Sequence, residues 1–120
     1  MKGLHLTADL YRCRCEAAWL ADAQKLGAWC ASAAQAVGLE PIGQVFHPLA
    51  GGGISGAVLI AGAHVGVHTW PGEKAVAVDV YVGDTATDQS AKARGLMFAL
   101  VNRFQPEWTE QRSLDRGEEE

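Results

Sequence analysis

His64 and His68, with Gly66 between them, are the residues whose type and spacing could do chemistry in this chain. Side chains alternate along an extended backbone. His64, Gly66, His68 and Trp70 would therefore share one face, with Val65, Val67 and Thr69 on the other. Two imidazoles can shuttle protons near neutral pH or ligate a metal, and the glycine leaves an open spot beside them. A hydrolase built on His64 and His68 needs a nucleophile, and Ser55 is the one serine or cysteine that neighbours this strand. A metal site needs a third ligand, for which His47 is the candidate. The plainer reading is a half-buried strand whose histidines are retained because they pack and hydrogen-bond well.

The elements that must position these residues follow from periodicity. Over 3–11, Leu4, Leu6, Ala8 and Leu10 alternate with His5, Thr7, Asp9 and Tyr11, which predicts a strand with His5 on its polar face as a surface residue. Over 16–37, Trp19, Ala23, Leu26, Trp29, Cys30, Ala33 and Val37 recur at helical steps, so one helix with both tryptophans in the core is expected, stopped at Gly38. Strands are expected over 42–49 and 54–61, the second apolar enough to be covered on both sides. Gly51, Gly52 and Gly53 between them lack the Gly-Lys-Ser/Thr of a phosphate loop and read as a hairpin turn. Strands over 64–70 and 75–82 follow, then a polar connector over 84–90. A second helix carries Ala93, Leu96, Met97, Leu100, Val101 and Phe104 inward, with Asp88 as its cap and Gln89 and Ser90 as alternates. A short edge strand after Pro106 would close the domain. This order predicts an α+β two-layer sandwich: an antiparallel sheet with two helices on one face. The open face would carry the histidines, Asp79 and Tyr81, and make a homodimer interface or a pocket.

The bulk numbers set limits. At 120 residues the chain makes one domain, taken as 1–112, followed by an acidic tail over 113–120. With 48% hydrophobic and 20% charged residues it is globular. A net charge of −4 argues against a nucleic-acid partner, which would need a basic stripe. No apolar run approaches the roughly 18 residues of a membrane span, so no membrane is expected, and the cytoplasm is the default compartment. Three cysteines suit a reducing compartment, and Cys13 with Cys15 is a weak metal signal lacking two further ligands.

The run His64-Val65-Gly66-Val67-His68-Thr69-Trp70-Pro71, followed by Ala75 to Tyr81, resembles the central signature of the bacterial S-adenosylmethionine decarboxylases of polyamine (spermidine) biosynthesis. Leu4-His5-Leu6, Asp9-Leu10-Tyr11, Phe46-His47 and Ser55-Gly56 also resemble the family, so the likeness covers 2–100. The resemblance implies a self-cleaving chain. A Glu-Ser pair precedes the histidine run, the serine attacks the preceding carbonyl, and it ends as a pyruvoyl group that binds the substrate amine and accepts electrons as carbon dioxide leaves. Ser55 and His68 stand at the positions that assist processing, and Phe46, His47, His64 and Trp70 at ligand-side positions.

Four positions depart from that pattern. The Glu-Ser pair is Gly62-Ala63, the Glu after His-Thr-Trp-Pro is Gly72, and the acid cysteine falls at Gly83. No pyruvoyl cofactor is therefore expected. The leading reading is a catalytically inactive homologue that binds a nucleoside or amine, or that regulates an active decarboxylase partner. The other is an enzyme using a non-pyruvoyl mechanism built on His64 and His68.

Overall fold

A computed structural model describes residues 2–83 and 87–117. Six strands form one antiparallel sheet: β1 (Gly3–Tyr11), β2 (Pro41–Pro48), β3 (Ile54–Ile60), β4 (Ala63–Trp70), β5 (Ala75–Gly83) and β6 (Trp108–Arg116). Their spatial order is β2-β3-β4-β5-β1-β6. Helices α1 (Ala18–Ala21), α2 (Ala23–Ala36) and α3 (Ser90–Phe104) complete the chain. The α+β two-layer sandwich expected from the sequence is the fold observed. No helix among the described residues is long and apolar enough to cross a membrane.

The core lies between the sheet and the helices. Leu4, Leu6, Ala8 and Leu10 of β1 and Val76, Val78, Val80 and Val82 of β5 are buried against Leu96, Leu100 and Phe104 of α3. Val58, Ile60, Val65 and Val67 meet Leu26, Cys30 and Ala34 of α2 in the same cluster. The alternation along β1 and β5 thus points their leucines and valines to one layer, and the opposite face stays open.

Several expectations need correction. The helix expected over 16–37 is two. At Asp22 the backbone turns extended (φ −100°, ψ 99°), and its carboxylate accepts the Lys25 N–H at 3.0 Å, capping a new helix. Trp19 and Trp29 are half-buried rather than core. They pack edge-to-face at 6.3 Å, with Lys25 and Arg103 over the Trp19 ring. β3 is covered on one side only: Leu59 is 54% exposed, because β3 is second from the edge and only α2 packs on it. β6 continues through residues assigned to the tail, pairing Gly3 with Arg116, so the ordered domain runs past 112. Glu118 to Glu120, and residues 84–86 of the connector, lie outside the described residues.

The turns match their residues. Gly52 (φ 96°) and Gly53 close the β2–β3 hairpin through Leu49 N–H to Gly53 O at 2.7 Å, and a side chain at Gly53 would strike the Thr69 carbonyl. The N-cap of α3 is Gln89, whose side chain makes no cap hydrogen bond, while Asp88, one residue before it, accepts the Ser90 N–H at 2.8 Å.

Candidate functional site

Strand β4 carries two polar groupings at opposite ends of the open face. At one end Ser55 of β3 lies opposite His68, with Ser55 Oγ and His68 Nδ1 3.0 Å apart. Register extends this row to His47 of β2, the partner of Ser55. Trp70, 48% exposed, packs beside His68 with ring centroids 6.5 Å apart. His47, Ser55, His68 and Trp70 therefore come together, as residues of three neighbouring strands. Phe46 does not join them. Its ring faces the helix layer and lies over Gly27 and Gly56, so this residue packs the core rather than the open face. Phe46 and His47 are adjacent on a strand and must point opposite ways.

At the other end, His64 is held by Asp79 of β5, with Nε2 2.8 Å from Oδ2, and stacks on Tyr81. His5 of β1 donates to the same Asp79 oxygen at 2.8 Å. His64 and His68 are thus partners of different groups, four residues apart on one strand, about 14 Å at about 3.4 Å per residue. A mechanism that needs both imidazoles on one reacting atom is not built within one chain. His47 is likewise no third ligand to His64. The residues that join His64 are His5 and Asp79, and His5 is no isolated surface residue.

Ala63 begins β4. Its side chain turns toward the helix layer opposite Val82. It follows the two-residue turn Ala61-Gly62, where Gly62 has φ 70°. Gly83 donates its N–H to the Gly62 carbonyl at 2.9 Å, so residues 62, 63 and 83 are neighbours in space. Periodicity had no means of showing this. The Tyr81 hydroxyl adjoins them too: a Cβ at Gly83 would lie 3.3 Å from it. Five residues separate Ala63 from His68, about 17 Å along the strand. Gly72 lies in the short 3₁₀ turn after Trp70, at the His68 end.

The thiols sit elsewhere. Burial pushes the Cys30 thiol up to about 12, and burial, then Cys15, pushes Cys13 up to about 11. They are packing groups rather than nucleophiles. Among the described residues, the one grouping of three or more histidine, cysteine or acidic side chains with converging ligand atoms is His5, His64 and Asp79, and it excludes Cys13 and Cys15.

A helix-backed antiparallel sheet with a serine–histidine pair on its open face defines an α+β two-layer sandwich. The model of the S-adenosylmethionine decarboxylase family matches residues 4–117. The chain belongs to that family. It is 32% identical over 116 residues to the S-adenosylmethionine decarboxylase proenzyme of Hydrogenobaculum sp. (strain Y04AAS1), covering 96% of this chain and 81% of the relative. It is 38% identical over 79 residues to the proenzyme of Syntrophomonas wolfei, covering 66% of this chain and 61% of that one. The crystal structure of the adenosylmethionine decarboxylase from Aquifex aeolicus superposes with a TM-score of 0.79 at 28% identity, over 98% of this chain and 92% of that one.

Proposed function

We propose that this chain is a member of the S-adenosylmethionine decarboxylase family that does not cut itself, carries no pyruvoyl group, and acts by binding a nucleoside or amine or by regulating an active relative. The observation that carries this reading is the chemistry at 62, 63 and 83. The relatives are named proenzymes, and a serine that attacks its preceding carbonyl needs a hydroxyl. Ala63 offers a methyl, and Gly62 and Gly83 offer no side chain. Gly62 also sits in the left-handed region that glycine favours. Ser55 and His68 keep their hydrogen bond and so remain as binding and packing groups.

The open face supports a homodimer. Val45, Leu59, Trp70 and Leu114 are all exposed on it, which is poor surface for a lone chain. Three free thiols, two of them buried, fit a reducing compartment, and we place the protein in the cytoplasm.

Mass spectrometry tests both claims. Under denaturing conditions one species of 12.7 kDa is expected, and two fragments split between residues 62 and 63 would overturn the reading. Under native conditions twice that mass is expected, and a monomer at micromolar concentration would remove the dimer.

A further inference from the structure

We propose that His5, His64 and Asp79 form a binding site for a divalent transition-metal ion on the open face of the sheet. The three residues come from adjacent strands β1, β4 and β5. His5 and His64 flank Tyr81 in register from either side, and Asp79 is two residues along from Tyr81. One ligand atom from each residue lies within 4.8 Å of the other two, and both Nε2 atoms stand 2.8 Å from Asp79 Oδ2. Each residue is partly shielded, with side-chain exposures of 23%, 39% and 29%.

The site is shaped as well as populated. Gly66 lies opposite Asp79, and any Cβ there would collide with Oδ1. That glycine lets the carboxylate lean across β4 to a point between the two imidazoles. The Tyr81 ring meets His5 edge-on at 5.7 Å and stacks against His64 at 5.9 Å, which limits how far either ring can turn. Two imidazoles and one carboxylate form a ligand set suited to zinc, iron, cobalt or nickel, whereas magnesium and calcium prefer oxygen alone. Three protein ligands leave a further position open to water or to a bound molecule. Ligand atoms about 2.0–2.2 Å from such an ion stand roughly 3–3.5 Å apart. The 2.8 Å contacts here reach that spacing with small side-chain rotations.

Without metal the protons are accounted for by the neighbours. Arg116 Nη1 lies 3.2 Å from His5 Nδ1, and a guanidinium can only donate, so His5 carries its proton on Nε2 and gives it to Asp79. Metal on Nε2 moves that proton to Nδ1, where it faces the Arg116 donor. Arg116 must then swing away, and its charge opposes the incoming cation throughout. It is exposed, with its guanidinium 5.7 Å from the Tyr81 ring centroid. Arg116 is therefore a competitor of the metal, and its removal should tighten binding.

The test uses the untagged, chelator-stripped full chain, titrated with cobalt(II) by visible absorption and with zinc(II) by calorimetry. One ion per chain is expected. His5→Ala and Asp79→Asn should each weaken zinc binding at least about tenfold, since even losing a hydrogen bond to a metal ligand costs about 10- to 100-fold. Arg116→Ala, a surface change that leaves the ligands intact, should strengthen it. His68→Ala and Cys15→Ser should leave it unchanged. Absent heat and absent cobalt bands would overturn the proposal. So would binding that survives His5→Ala, or that Cys15→Ser abolishes. Self-cleavage plays no part in any of these readouts.

Discussion

On the helix-covered face of the sheet, Leu4, Leu6, Leu10, Val76, Val78 and Val80 are buried and need no particular partner. On the open face the same two strands present His5, Thr7, Asp9, Ala77, Asp79 and Tyr81, and the polar groups among them find partners sideways. His5 reaches across to Asp79, as His64 does from the other side, and Ser55 reaches His68. The covered face is held by area, which is tolerant and non-directional. The open face is arranged by register, where a slip of one residue would turn every one of these groups away. Recognition belongs on the second kind of surface.

The largest expected effect comes from breaking the first kind. Phe104 is fully buried at the C-terminal end of α3, and Phe104→Ala should cost roughly 3–5 kcal/mol of unfolding free energy in urea. Leu59→Ala on the open face should change the stability of the isolated chain by no more than about 0.5 kcal/mol. Its effect should appear instead as a weaker dependence of melting on protein concentration, if that face joins two copies. Equal losses from the two substitutions would erase the distinction between the faces.

That distinction also explains what could be read from sequence. Period-two alternation over 3–11 and 75–82 reports which residues face the helices, because burial depends only on residue type. It is silent on strand order. His5 and Asp79 are 74 residues apart, and only the pairing of β1 with β5 makes them neighbours. His5 therefore reads as a surface residue, and His47, nearer in sequence, as the better third ligand. Phe46 was misplaced for a local reason: the motif names Phe-His together, but a strand sends the two to opposite layers. Asp22 is a residue type that caps helices, but the apolar stripe runs unbroken across it, so periodicity alone gives one helix.

Thr69 crosses the boundary between the two kinds of surface, and it gives the next largest effect. It is buried on the covered face, yet its hydroxyl is directional. It donates to the Leu20 carbonyl at 2.7 Å and accepts the Ile54 N–H at 2.9 Å. Thr69→Val keeps the shape and strands both backbone groups, at about 1–3 kcal/mol each when unmet and buried. Partial relaxation should leave a loss of roughly 2–4 kcal/mol. Thr69→Ser keeps the hydroxyl and should lose only about 1 kcal/mol with the methyl. If valine and serine prove equally costly, packing alone holds this position, and the covered face has no directional anchor joining α1 to the sheet.

The smallest effect is at the rim of the helix layer, where neither burial nor register operates. Asp88 is exposed, and the hydrogen bond from the Ser90 hydroxyl, then that from the Ser90 backbone N–H, holds its carboxyl below the usual carboxylate range. A carboxyl whose value is lowered by folding binds its proton less readily in the native chain than in the unfolded one. Its contribution is therefore present in full above the unfolded value of about 3.9 and is lost as pH falls through the lower native value. Solvent screening keeps it small. Asp88→Ala should lower the urea midpoint slightly at pH 7, and the gap between variant and parent should close as pH drops below about 4. Phe104→Ala, which involves no titrating group, should keep its full gap over the same range. A gap at Asp88 that persists unchanged in acid would mean that the aspartate contributes through its neutral form or through loop conformation, and that charge adds nothing at this edge of the covered face.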